Sequence, residues 1–330
     1  MTKKSELRQD LVSKDWIVIA PGRGKRPSQY AVRKKKRIRA PIGTCPFEDP
    51  QKSGNKKPIL VRKNAHGWEL QIVENKFPAL QHRKLCAATS GHGPYLTMAG
   101  AGYHDLLITR DHDANFPRLS PRQALQVFQA FRDRYLMLAG DECVSYLSIF
   151  HNWGKDAGAS VYHPHYQLIA LPIIPPDIWH SLLGSLEYFA SKKRCVHCVM
   201  IDWERKEKKR IVYENEGAIV IAPFVSRGPF EVRVFPKKHL PYFENTLDAD
   251  LVGVVDALQA ALRLVEKRLG DPDYNFFIHT APIKNKVDYE PYHWHIEIIP
   301  KVSVPAGFEL GTGIDINVVD PDVAAGVLRA

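Results

Sequence analysis

No apolar run in the sequence approaches the ~18–20 residues that a membrane-spanning helix needs. The first residues, Met1 to Glu6, hold no apolar stretch of the kind a secretory leader carries. Cysteine is scarce, five in 330 residues, an odd count without the density of a disulfide-stapled domain. These features lead us to expect a cytoplasmic protein whose cysteines act as thiolates or metal ligands. The loop Pro21–Pro27 contains glycine, but lacks the spacing and following helix of a phosphate loop. Acidic residues are in deficit, 36 against 46 basic, for a formal charge of +10. Much of the excess lies in Arg33–Arg37, with Arg23, Lys25, Arg26 and Arg39 nearby. Such a run reads first as a solvated loop and second as an attractor of a polyanionic small substrate such as a sugar nucleotide. Nucleic acid is the remaining reading and is not the expected partner.

Histidine is abundant, with fourteen residues. Two of them stand in His163-Pro164-His165-Tyr166-Gln167, which runs into the apolar Leu168–Leu171. If a strand begins near His163, side-chain alternation puts His163, His165 and Gln167 on one face and Tyr166, Leu168 and Ala170 on the other. One imidazole can then hold a metal while the next reaches a substrate phosphorus. The plain alternative is a pair of hydrogen-bonded histidines at a strand end.

Upstream, residues 6–20 predict a strand, a turn at Ser13–Asp15, and a second strand. Residues 104–110 predict another strand. A helix follows, opened by a capping box of Ser120, Pro121 and Gln123, with Leu125, Phe128, Phe131, Tyr135 and Leu138 on its apolar face. Cys143 to Phe150 reads as the next strand. The same order then recurs: strand Glu231–Phe235, helix Leu247–Leu269 stopped by Gly270, strand Asn275–His279, and a second His-x-His at His293 and His295. His112 and His163 are 163 − 112 = 51 residues apart; His239 and His293 are 293 − 239 = 54 apart. The chain is therefore read as two copies of one α+β unit, with units at 1–172 and 173–330.

The duplication extends to candidate zinc ligands. The first copy offers Cys45, Glu48, His112 and His163; the second offers Cys195, Cys198, His239 and His293. Four ligands drawn from Cys, His and carboxylate suit zinc, so one or two zinc ions per chain are expected. Cys143 has no partner in this scheme and reads as a buried small apolar residue.

At this point the sequence resembles the galactose-1-phosphate uridylyltransferases, duplicated members of the histidine-triad superfamily. The matching residues are Arg26-Pro27, Cys45-Pro-Phe, Glu74-Asn75-Lys-Phe77-Pro-Ala-Leu, Asp111-His112, Asn152, Ser160, His163-Pro-His165-x-Gln167, His279 and His293-x-His295. The resemblance implies a pair of half-barrels, each an antiparallel sheet with helices, assembled as a homodimer. It implies a ping-pong nucleotidyltransferase acting on sugar nucleotides and sugar phosphates, most directly UDP-glucose and galactose 1-phosphate. His165 would be the nucleophile. Gln167 and Ser160 would contact phosphate, Arg26 would lie on the phosphate side, and Asn75, Phe77 and Asn152 would contact the nucleotide. Relatives that hydrolyse nucleotides carry histidine where Gln167 stands. A histidine nucleophile splits one transfer into two steps, and a phosphate leaving group needs little help from an acid.

Three departures bear on the substrate. Glu48 stands where the family often has cysteine, Tyr166 stands where the galactose enzymes usually have glycine, and Phe308–Ile314 resembles the Gly-Thr-Gly form of ADP-glucose phosphorylases and many other prokaryotic members. ADP-glucose is therefore the alternative donor. Residues 306–314 are the candidate for contact with the acceptor or a partner subunit. In the second copy Glu297 replaces Gln167, and no serine-bearing approach precedes it. That copy is expected to be mainly structural, with His295 no nucleophile. The reading from another class is a nucleotide- or RNA-binding module with an inactive triad; the intact His165 and Gln167 argue against it.

Overall fold

The computed structural model describes residues 4–23, 37–83, 85–284 and 286–330. Arg26 and the basic residues Arg33–Lys36 lie outside the described residues. The chain opens with the hairpin β1 (Glu6–Gln9) and β2 (Trp16–Ile19). Its turn forms because Asp10 Oδ1 accepts the backbone N–H groups of Val12 and Ser13 at 2.7 and 2.9 Å. Next come β3 (Leu60–Asn64), β4 (Gly67–Glu74), the exposed hairpin β5 (Thr89–His92) and β6 (Tyr95–Met98), and β7 (Tyr103–Thr109). Helix α1 (Pro121–Leu138), β8 (Tyr146–Trp153) and β9 (His165–Leu171) complete the first series. Helices α2 (Pro176–Lys192) and α3 (Val196–Glu207) lead to the second. That series is β10 (Ile211–Glu214), β11 (Ala218–Ile221), β12 (Val232–Pro236), α4 (Asp248–Leu269), β13 (Tyr274–His279) and β14 (His295–Pro300). The chain closes with α5 (Gly307–Thr312), β15 (Ile316–Asn317), which pairs parallel with β2, and α6 (Pro321–Arg329).

The fold is α+β, and both series lie in one ten-stranded antiparallel sheet. Its order is β10-β11-β12-β14-β13-β8-β9-β7-β4-β3. Each half has the same internal order, and the halves meet where β8 pairs with β13. Helices α1 and α4 cover one face. Ser120 and Gln123 form the reciprocal capping box at the start of α1, which satisfies amide donors the helix leaves open. Gly270, at φ 75°, closes α4. Phe128, Phe131 and Tyr135 of α1 and Leu258, Leu262 and Val265 of α4 are buried against Leu147, Ile149, Tyr166, Leu168, Phe276 and Ile298 of the sheet. Each such side chain contributes about 1.5–3 kcal/mol of apolar burial. Among the described residues no helix is long and apolar enough to cross a membrane.

Two local expectations are corrected. The strand placed at Cys143–Phe150 starts at Tyr146, because Asp141 accepts the N–H of Cys143 through its side chain and that of Val144 through its carbonyl, holding a turn. Cys143 is not an unpartnered apolar residue: it forms a disulfide with Cys86, 57 residues away, with Cα atoms 4.8 Å apart. The pairing lies between the excursion that carries β5 and β6 and the turn before β8, which no sequence spacing reveals. Cys45, Cys195 and Cys198 are free. Thiol titration of the denatured, unreduced protein is therefore expected to find three thiols, and five after reduction. Reduction should lower stability by about 2–4 kcal/mol; five thiols before reduction would refute the pairing.

Candidate active site

The sheet face opposite α1 and α4 carries the candidate chemistry. Direct cross-strand partners share a face. Ile108 pairs with His165, Leu106 with Gln167, Phe150 with Gln167, Asn152 with Asn275, His279 with His295, and Arg233 with Glu297. One continuous face thus holds both histidine motifs. Tyr166 points the other way and is fully buried among Phe116, Phe131 and Phe276.

The strand begins at His165, two residues later than expected. Pro164 has no N–H to give a ladder, so pairing starts after it. His163 is left in the preceding bend, where its backbone carbonyl accepts from His165 Nδ1 at 2.9 Å. This bond puts the His165 proton on Nδ1 and the lone pair on Nε2. Burial pushes the His165 imidazole below its ordinary value, favouring the neutral form. The Phe47 ring packs at 5.0 Å between centroids, edge-on to His165. His151, fully buried behind the sheet, bonds the His165 carbonyl at 2.8 Å through Nδ1.

Gln167 is half-buried beside His165. Its Oε1 lies 2.9 Å from His104 Nε2. Asn75 Nδ2 lies 3.0 Å from the same nitrogen, and His104 Nδ1 accepts the N–H of Ala79 at 3.0 Å. Phe77 is 81% exposed, a ring free to receive a planar ligand. Asn152 Oδ1 accepts from Asn275 Nδ2 at 2.7 Å across the β8–β13 seam. Ser160 is exposed in the approach to His163. His104 was not singled out by sequence reasoning; only the pairing of β7 with β9 places it on the site face.

Each candidate metal set converges. Cys45, Glu48, His112 and His163 offer ligand atoms within 4.8 Å of one another, as do Cys195, Cys198, His239 and His293. In the first set His112 Nδ1 and His163 Nδ1 lie 2.9 and 3.3 Å from Glu48 Oε1, and Cys45 Sγ lies 3.5 Å from His163 Nδ1. In the second, Cys198 Sγ lies 3.4 and 3.5 Å from Nδ1 of His239 and His293. The edges of a zinc tetrahedron are about 3.3–3.8 Å for bonds of the usual length. In all four histidines Nε2 is 2.7–3.0 Å from a backbone carbonyl: Ala40, Thr109, Glu290 and Pro236 for His112, His163, His239 and His293. That bond leaves the Nδ1 lone pair facing the other donors, as a metal requires. The residues present therefore fit a metal at both places.

Residues 69–328 match the family described as "Domain of unknown function (DUF4921)". ADP-glucose phosphorylase of Arabidopsis thaliana is 33% identical over 98% of this chain and 92% of its own length. Galactose-1-phosphate uridylyltransferase of Thermotoga maritima is 26% identical over 98% of both chains. The crystal structure of the Arabidopsis thaliana ADP-glucose phosphorylase with bound ADP-glucose superposes with a TM-score of 0.81, at 29% identity, over 99% of both chains. The chain belongs to the galactose-1-phosphate uridylyltransferase-like family of nucleotidyltransferases.

In this family member the second histidine motif has different neighbours. His295 Nδ1 bonds the His293 carbonyl at 3.1 Å, the same backbone device as in the first copy. Glu297, however, sits in a buried ion cluster, 3.2 Å from His279 Nε2, 3.7 Å from Arg227 and 3.9 Å from Arg233. Burial opposes its ionisation, but Arg233 and Arg227 prevail and hold its carboxyl well below the usual range. Glu231, bonded to Arg233 at 2.9 Å, is pushed up to about 7 by burial and by Glu297. His279, His295 and Glu297 also converge as a donor group. They line a cavity of about 310 Å³ walled by Asp10, Asp15, Asp177 and Asp315.

Proposed function

We propose that the protein transfers a nucleotidyl group from a nucleoside diphosphate sugar to a phosphate-bearing acceptor through an adduct on His165. The observation that supports this reading best is the His165 Nδ1 bond to the His163 carbonyl, which presents Nε2 as the lone-pair nitrogen on the open sheet face. Nε2 attacks the α-phosphorus. A P–N bond forms, and the bond from that phosphorus to the bridging oxygen breaks. The electron pair leaves with hexose 1-phosphate. An acceptor phosphate oxygen then attacks the same phosphorus, and the P–N electrons return to Nε2. The proton stays on Nδ1, donated to the His163 carbonyl throughout, so the imidazolium formed on attack is stabilised without moving a proton.

Gln167 and Ser160 bond the phosphoryl oxygens, and Arg26 supplies positive charge. Asn75, Phe77 and Asn152 hold the nucleoside, with the exposed Phe77 ring against the base. Zinc at Cys45, Glu48, His112 and His163 would tie the Cys45 loop to the strand under His165; zinc at Cys195, Cys198, His239 and His293 would be structural. Residues 1–172 would carry the chemistry and 173–330 support it. A homodimer, with the exposed Phe308 and Leu310 near the partner, and a cytoplasmic location go with this reading.

The main donor and acceptor are UDP-glucose and galactose 1-phosphate. ADP-glucose with inorganic phosphate stands beside them, supported by the 33% identity to ADP-glucose phosphorylase. Incubation with each sugar nucleotide labelled in the α-phosphate decides between them. We expect an acid-labile, base-stable protein adduct with one donor, discharged by its own acceptor. No adduct with either donor would sink the mechanism.

A further inference from the structure

We infer that His104 is a positioning residue for nucleotidyl transfer: it fixes which end of the Gln167 amide faces the substrate phosphate. This deepens the reading of His165 as nucleophile and rests on it. The argument starts from a backbone amide. The Ala79 N–H can only donate, and it lies 3.0 Å from His104 Nδ1. Nδ1 must therefore carry the lone pair, and the neutral ring carries its proton on Nε2. Two side-chain atoms lie near that N–H: Gln167 Oε1 at 2.9 Å and Asn75 Nδ2 at 3.0 Å. The Asn75 orientation is set independently, because its Oδ1 accepts from the Phe77 N–H at 3.0 Å. Asn75 Nδ2 is thus a donor and cannot receive a proton. Gln167 Oε1 is the acceptor.

With its oxygen turned to His104, Gln167 directs its NH2 group away from that ring and toward the face it shares with His165. The two side chains project from the strand about 6.6–6.8 Å apart. A phosphoryl oxygen accepts hydrogen bonds and repels a carbonyl. A glutamine free to flip would present the wrong end part of the time; the Ala79–His104–Gln167 chain removes that option. His104 is itself 7% exposed, and the Asn75 N–H bonds its backbone carbonyl at 2.8 Å, so ring and loop are held together.

The second copy supplies an internal comparison. His104 lies five residues before Thr109, whose carbonyl bonds His163; Glu231 lies five before Pro236, whose carbonyl bonds His293. His104 and Gln167 thus correspond to Glu231 and Glu297. Both members change together, and the pair that replaces them is bridged by Arg233 rather than joined by a hydrogen bond. The two positions behave as one unit in each copy.

The test is a double-mutant cycle on adduct formation in a single turnover of the full chain, with the labelled sugar nucleotide that reacts. His104→Phe and Gln167→Ala should each slow the step about 10²-fold, as removal of one donor to developing charge does, with sugar-nucleotide affinity changed less than about threefold. The double variant should be no more than about threefold slower than Gln167→Ala. His104→Gln, which can still accept from Ala79 and donate to Gln167, should recover most of the rate. Multiplicative losses in the double variant, or no recovery with His104→Gln, would overturn the inference. Nitrogen NMR of the wild-type chain gives a readout independent of any variant's folding. His104 should be protonated on Nε2, and a proton on Nδ1 would overturn the inference. Absence of an adduct in the wild type would instead remove the His165 reading itself.

Discussion

Replacing His165 with alanine should abolish adduct formation and lower exchange by at least about 10³-fold, whereas His295→Ala should leave the adduct rate within about threefold. The first figure follows from losing a covalent nucleophile, for which no neighbour substitutes. Phe47, the flanking ring, is apolar, and His163 turns its Nδ1 to Cys45 and Glu48. The second figure rests on what surrounds each imidazole rather than on the rings. Both bond the carbonyl two residues earlier through Nδ1, and burial keeps both toward the neutral form. Beside His165 stands an amide that can donate to phosphate. Beside His295 stands an ionised carboxylate, Glu297, which would repel one. The N-terminal hairpin also closes over His295, with Asp10 and Asp15 in its cavity wall. Quantifying the acid-labile label on each variant, with thermal melts to confirm folding, checks the pair. Equal loss in both would refute the assignment of the first copy as the active one.

Much of this site was legible because the informative bonds run through the backbone or recur in two copies. The His-x-His spacing, the matched donor sets and the α1 capping box are local or repeated patterns, and the structure assembles them as expected. Tyr166 was correctly turned from the site by strand alternation alone. What the sequence did not reveal depends on register and on loops returning from far away. His104 is an ordinary histidine at a strand start until β7 pairs with β9. Arg233 and Glu231 look like surface charges of an alternating strand until β14 and the N-terminal hairpin bury them; both are under 9% exposed. Cys86 and Cys143 meet only because the β5–β6 excursion folds back on the turn before β8. The start of β9 at His165 was a local feature missed, and Pro164 was its signal, as Asp141 was for the late start of β8.

Removing metal should separate the two donor sets by consequence. Chromatographically pure protein, prepared without chelator, is expected to hold up to two zinc ions per chain by elemental analysis. Cys198→Ser should lose one of them and lower the melting temperature by on the order of 10 °C. That follows from a site worth roughly 10 kcal/mol, spread over the melting entropy of a chain this long. Its four donors join the start of α3, the loop after β12 and the chain two residues before β14. Among the described residues His165 packs against Phe47, His151 and His163 and against none of these four donors, so adduct formation should survive within about tenfold at temperatures below the new melt. Cys45→Ser should also lose one ion, with the opposite balance. The donor His163 carries the carbonyl that fixes the His165 proton, and Phe47, two residues after Cys45, packs on the His165 ring. Loosening that corner misplaces the nucleophile, so adduct formation should fall at least about 10²-fold while the melt moves less. A misplacement of about 1 Å is enough for a loss of that size. Wild-type protein free of metal, or equal chemical damage from both variants, would refute the division of labour between a site that positions the nucleophile and a site that holds the second copy together.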